Sequence, residues 1–201
     1  FPVDTHLEYL PCNSKSVKYR ISNQYWQKYK AVPNDGAIEE ALNVLHGCAL
    51  YEGKEYVLAN RVANKDGEMW YDMTNANWEA VKINANGWEI VAQPPILFRR
   101  YSHQKPQVIP IAGGNPFLIF KYINVKKEDQ LLVLVSIITG LIPDIAHPIL
   151  YIYGPRGAAK STASKCIKRV SDPSIIETTD FPRDRGEFAQ QLYHSWNLMF
   201  D

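Results

Sequence analysis

Lys160, Ser161 and Thr162 are the residues of this chain whose types and spacing could do chemistry. They follow Gly154, Pro155, Arg156, Gly157, Ala158 and Ala159. A glycine-containing turn running into Lys-Ser at the start of a helix is an arrangement that binds a phosphate chain. The turn offers backbone N–H groups, and the helix N-terminus adds partial positive charge. Lys160 is placed to reach terminal phosphates, and the Ser161 hydroxyl has the offset needed to meet Mg²⁺. The usual pattern puts glycine just before the lysine, where this chain has Ala159. Alanine disfavours positive φ, so the phosphate site requires residue 159 to sit near helical φ/ψ, as one residue before a helix can. The other reading is a chance strand–turn–helix with a surface lysine. The apolar run at 149–153 and the helix-compatible run at 163–170 favour the phosphate site.

Asp201 is the second candidate. It ends the apolar run Leu198, Met199, Phe200, about 40 residues after Lys160, which suits a strand whose terminal carboxylate holds Mg²⁺ directly or through water. Alone, such a residue reads as a surface carboxylate after a core strand. Its spacing from the phosphate loop favours the metal role, so Lys160 and Asp201 are the expected catalytic residues, and Ser161 and Asp201 the expected Mg²⁺ ligands.

These groups need a strand before the loop, a helix after it and a strand before Asp201. The intervening sequence supplies them. Residues 126–130 lead into an apolar run ending at Leu141, which reads as a buried helix stopped by Pro143. Residues 171–174 read as a turn and 187–194 as a helix. The order helix, strand, loop, helix, helix, strand suits the first half of an α/β ATPase. Upstream, Ile38, Ala41, Leu42 and Leu45 fall at i, i+3, i+4, i+7, which predicts an amphipathic helix. Short β-branched and aromatic runs at 56–59, 69–72, 79–83 and 88–91 are separated by Asp66-Gly67, residues 74–77 and Asn86-Gly87. That pattern predicts hairpins in an antiparallel sheet, followed by a strand-like run at 96–98.

Composition narrows the function classes. The 201 residues are 46% apolar and 21% charged with a net charge of +1, so a core can form and no global field advertises nucleic acid or membrane. Cys12, Cys48 and Cys166 lack metal-ligand or disulfide-framework spacing, and reduced thiols fit a cytoplasmic protein. The longest apolar stretch, 131–142, is too short to span a bilayer. The chain begins at Phe1 and stops on the Asp201 candidate, which reads as a fragment of a longer protein.

Other groups have two readings. Arg99, Arg100, Tyr101 and His103 have the composition of a phosphate-backbone contact with base stacking, but read more simply as a solvated strand end. Arg183 and Arg185 read as a charged turn. Trp70, Tyr71, Trp78 and Trp88 read as sheet core, and the five histidines as structural or exposed.

Several patterns then occur in one order: Arg-Val-Ala at 61–63, Asp-Gly at 66–67, Met-Trp-Tyr-Asp at 69–72, Trp-Glu-Ala-Val at 78–81, Gly-Trp-Glu-Ile-Val at 87–91, Pro-Ile-Leu-Phe-Arg-Arg at 95–100, Leu-Ile-Pro-Asp at 141–144, His-Pro at 147–148 and the loop at 154–162. Over about residues 35–201 the chain resembles the ATP-binding, helicase-like proteins of phages, plasmids and integrative elements, which are often associated with primases. These are similar to superfamily 3 and virus-type AAA+ helicases. The residue pattern reads as a helical accessory segment at 1–50, a β-rich module at 51–105 and a Pro/Gly-rich linker at 106–116, and the resemblance implies the first half of an α/β P-loop NTPase (AAA+-like) at 117–201. It implies ATP and Mg²⁺ as cofactors, a homo-oligomeric ring, and single-stranded or forked DNA as partner, with no membrane. It also places a water-polarising residue, a sensor and an arginine finger beyond Asp201. A non-motor P-loop switch or regulatory DNA-binding module is the alternative.

Overall fold

Ser14, Asn34 and Asp184 begin three of the helices, each accepting a backbone N–H bond from the first turn through its side chain. The computed structural model describes residues 2–3 and 6–201. Among these the chain is mixed α/β, with a four-stranded antiparallel sheet, a two-stranded ribbon, five α-helices and one 3-10 helix. The chain divides into two units, one ending at Leu58 and one spanning Ala59–Asp201.

In the first unit β1 (Pro2–Val3) pairs antiparallel with β2 (His6–Leu7), and α1 (Lys15–Tyr29) precedes α2 (Asp35–Tyr51). Val17, Ile38 and Leu42 form the helical core with Leu10 and Ile21 against it. Ile38 and Leu42 are thus buried as their spacing predicts, but Leu45 is half exposed. The reason is geometric: the residues packed against α2 are Leu10, Val17 and Ile21, all at or near the start of α1, so only the first turns of α2 are covered.

In the second unit the sheet order is β3 (Val62–Lys65), β4 (Glu68–Asp72), β5 (Ala80–Asn84), β6 (Gly87–Val91). Asp66 and Gly67, at φ 55° and 79°, make the tight turn that their types predict. The second hairpin differs from expectation. Its register pairs Asn84 with Gly87, so the tip is Ala85 and Asn86. The Asn84 side chain accepts from the Asn86 N–H at 2.9 Å, closing the turn as an Asx turn. The expected run at 56–59 forms no strand beyond a bridge from Ala59 to Phe98. Tyr56 and Val57 are exposed, so the run lacks the buried face that would hold a strand in place.

Strand alternation gives the sheet two apolar faces. Trp70, Ala80 and Phe98 pack on one side, and Val62, Tyr71, Met73 and Val81 on the other, where Leu141 and Trp196 cover them. Trp88, expected in this core, lies on β6 and is largely exposed. Trp196 is fixed by its indole N–H, which donates to the Gly140 carbonyl at 2.7 Å.

The remaining elements are the 3-10 helix Pro116–Lys121, α3 (Lys127–Thr139), α4 (Lys160–Ser171) and α5 (Arg185–His194). Ile123, Val133, Ile137, Ala163 and Ile167 make their core, and Leu150, Ile152 and Met199 pack against it. The strand expected ahead of Gly154 acquires no ladder partner. Its side chains still alternate: Leu150 and Ile152 turn to the core while Ile149, Tyr151 and Tyr153 are exposed. The strand expected before Asp201 is reduced to one parallel bridge, Thr179 to Phe200. Among the described residues no helix is long and apolar enough to cross a membrane.

Candidate functional site

The loop 154–159 ends where α4 begins, and its backbone turns sharply. Gly157 has φ 81° and Ala159 has φ 60°, ψ 30°, both left-handed. The phosphate reading requires residue 159 near helical φ/ψ, and the structure contradicts that condition. The sharp turn into α4 needs a left-handed residue, and alanine takes the conformation that glycine normally supplies. Alternating backbone handedness of this kind turns successive N–H groups toward one point. Unlike α1, α2 and α5, α4 has no side-chain cap at its N-terminus. Its first N–H groups are therefore free of a side-chain acceptor and face outward from the positive end of the helix dipole.

Lys160 folds back over the loop. Its Nζ donates to the carbonyls of Gly154 at 3.2 Å and Pro155 at 3.1 Å, so the loop curls around the ammonium. Among the described residues the Ser161 hydroxyl and the Arg156 guanidinium have no hydrogen-bond partner, and Pro155, Arg156 and Gly157 are exposed. Ala158 and Thr162 complete the loop and the first turn of α4. Asp201 is exposed, and its N–H donates to the Thr179 carbonyl at 3.2 Å. No hydrogen bond or ion pair joins its carboxylate to the loop, and what relates them is packing. Met199, two residues before Asp201, shares a core with Leu150 and Ile152 before the loop and Ala163 and Ile167 behind it. The expected Mg²⁺ donors are thus one hydroxyl and one carboxylate. That set fits an ion that takes its other ligands from phosphate oxygens and water.

Ala159 gives a direct test of this backbone. A non-glycine residue held left-handed is strained by about 1–2 kcal/mol, part of which glycine gives back as lost chain entropy. Ala159→Gly is therefore expected to raise stability by about 1 kcal/mol, read as a higher urea midpoint at unchanged slope. A lower midpoint would remove the strain argument.

At its C-terminal end α4 is anchored by charges the sequence reading missed. Arg61, on the strand-entry side of β3, is fully buried, and its Nε donates to Asp172 Oδ1 at 2.9 Å. Its other N–H groups reach the carbonyls of Asp72, Lys105 and Pro173 and the Thr74 hydroxyl. Lys168 donates to Asp172 Oδ2 at 2.6 Å and to the Asn197 carbonyl. Asp172 also accepts from the Asn197 N–H at 3.1 Å. Burial opposes ionisation of Asp172, yet Lys168 and Arg61 together hold its carboxyl below the usual aspartate value. Burial lowers Lys168 as well, against the pull of Asp172, and the positive charge of Arg61 adds a smaller push in the same direction. Tyr71, pushed up to about 12 by burial, donates its hydroxyl to the Ser171 carbonyl at 3.1 Å.

Arg99 and Arg100, read together as a solvated strand end, have different fates. Arg100 is mostly buried: Nη2 and Nε donate to Asp72 at 2.6 and 3.0 Å, and its guanidinium lies 4.0 Å from the Trp78 ring centroid. Arg99 turns to an aromatic cluster. No sequence signal separated the two. In comparisons with known proteins, no family model, no curated protein and no solved structure matches this chain.

Proposed function

We propose that this chain binds Mg²⁺–ATP at residues 154–162 and is part of a P-loop ATPase of the DNA-replication, helicase-like type. The observation that carries the reading is the loop wound by left-handed Gly157 and Ala159 around the Lys160 ammonium, at the uncapped N-terminus of α4. Each part has a use for a triphosphate. The N–H groups would cradle the phosphates, Lys160 would exchange its two loop carbonyls for phosphate oxygens, and Ser161 and Asp201 would each offer the metal one oxygen ligand. The motor role, the ring and single-stranded or forked DNA as partner rest on the ordered motifs between residues 61 and 162.

The direct test is a titration of the chain with a fluorescent ATP analogue, followed by anisotropy, with and without Mg²⁺. Saturable binding that unlabelled ATP displaces and AMP does not is the expected result. It should weaken when EDTA removes the metal. No displaceable binding at millimolar nucleotide would overturn the assignment.

A further inference from the structure

On the far side of α4 from the phosphate loop lies a surface that the nucleotide reading does not use. The turn 101–104 and the C-terminal end of α5 meet there. The Arg99 guanidinium sits over two rings, 5.6 Å from the Tyr101 centroid and 5.2 Å from that of Tyr193, and donates to the Tyr193 hydroxyl. Tyr101 stacks on His103 with centroids 5.7 Å apart and planes at 18°, and meets the His194 ring at 4.6 Å. Tyr193 and His194 are exposed.

The platform is built rather than incidental. Gln104, buried, accepts from the Tyr101 N–H at 2.9 Å and donates to Asn60 Oδ1 at 2.9 Å. Asn60 and the Tyr101 hydroxyl both reach the Tyr193 carbonyl at 3.5 Å. His103 and His194 also border a cavity of about 250 Å³ reaching to Thr179 and Gln191. In its wall the Gln191 Oε1 is buried with no hydrogen-bond partner among the described residues.

Charge separates Arg99 from the other arginines in this half that bond through their side chains. Arg61, Arg100 and Arg169 each pair with a carboxylate. Among the described residues Arg99 pairs with none, and keeps most of its five N–H donors for a ligand. Of the two acids that line the cavity, Glu177 is bonded by Arg169 and Glu187 pairs with no cation among the described residues, so the positive charge of this surface comes from Arg99. Burial lowers His103, which favours a neutral ring for stacking near neutral pH.

We infer that Arg99, Tyr101, Tyr193 and His194 form a binding surface for single-stranded nucleic acid, with unpaired bases stacking on the rings and a phosphate meeting Arg99. Rings joined to an unpaired cation match a strand that offers π-faces and negative charge together. The unsatisfied amide oxygen in the adjoining cavity is a ready acceptor for a ring N–H of an inserted base such as thymine. A duplex hides its base faces, so it is excluded from the stacking part of the contact. The surface lies near the Lys168 end of α4, about 12 Å along the axis from Lys160, and it functions without nucleotide.

The test is anisotropy of a fluorescein-labelled oligothymidylate with the full chain and no nucleotide. Failure there leaves the ATP assignment untouched, and loss of ATP binding leaves this one untouched. Binding that weakens with salt is expected, with duplex of equal length bound more weakly. Tyr193→Ala should weaken binding about tenfold, while Tyr193→Phe, which keeps the ring, should bind like the parent. Arg99→Gln should weaken binding and reduce the salt slope by about one. The variants' circular dichroism should match the parent, since Tyr193 is exposed. Absence of oligonucleotide binding, or parental affinity in Tyr193→Ala, would overturn the inference and leave the cluster as a contact for protein.

Discussion

Replacing Asp172 with alanine is expected to cost about 3–5 kcal/mol of folding stability, against a total of about 5–15 kcal/mol for an ordinary domain. The carboxylate has 1% exposure and is shared by two buried cations, Arg61 and Lys168. Removing it leaves both ammonium and guanidinium in a dry interior with no counter-charge, and strips the Asn197 N–H of its acceptor. The surface ladder Glu68, Lys82, Glu89 is the control: its charges are partly exposed and reach water, so Lys82→Ala should move the urea midpoint little. Equal midpoints for the two variants would show that the buried cluster adds nothing. The same pair of variants separates on pH. A carboxyl held below its usual value stabilises the fold fully above the unfolded aspartate value of about 4. That contribution is lost as pH falls through the lower folded value. The parent and Lys82→Ala should therefore steepen in acid, and Asp172→Ala should lack that part of the slope.

Local pattern made much of the fold legible. Asp66 and Gly67 specify their own turn, and the alternation of Met69, Trp70 and Tyr71 specifies the two faces of β4. Helix starts at Ser14, Asn34 and Asp184 need only the capping residue and the turn after it. What the sequence could not show was pairing across distance. Arg61 and Asp172 lie 111 positions apart, and nothing in either local run marks the partner. That bond, with Tyr71 to Ser171, ties the antiparallel sheet to the end of α4. It gives the sheet a role in holding the helix whose other end carries the loop.

The candidate site divides in the same way. The run from Gly154 to Thr162 is contiguous, so its residue types announce it. Ala159 shows the limit of a type-based argument. The side chain argues against a left-handed backbone, yet closure of the turn into α4 imposes one, and the strain is small beside the packing of Ala163 and Ile167 that fixes the helix. Arg99 and Arg100 show another limit. Adjacent residues of one type on an extended segment face opposite ways, so one meets Asp72 and Trp78 and the other meets Tyr101 and Tyr193. The sequence shows the pair but not which side has the carboxylate.

Lys160→Ala has the largest expected effect on function. A charged donor on phosphate is worth about 1.5–3 kcal/mol, so ATP binding should weaken by about tenfold to a hundredfold. Turnover in an assembled ATPase should fall further, because the ammonium meets charge that develops as the γ-phosphoryl leaves. Stability should barely change: the carbonyls of Gly154 and Pro155 that lose their donor are on exposed residues and can take water instead. Arg156→Ala sets the comparison. Its side chain lies in the same loop, exposed and without a hydrogen-bond partner among the described residues, so general loss of positive charge would affect both variants alike. A drop confined to Lys160→Ala identifies the wound loop as the phosphate site. Equal drops would reduce the loop to a basic patch, and parental affinity in Lys160→Ala would end the nucleotide assignment. Oligonucleotide binding at Tyr193 should survive in both variants, since the two surfaces lie toward opposite ends of α4.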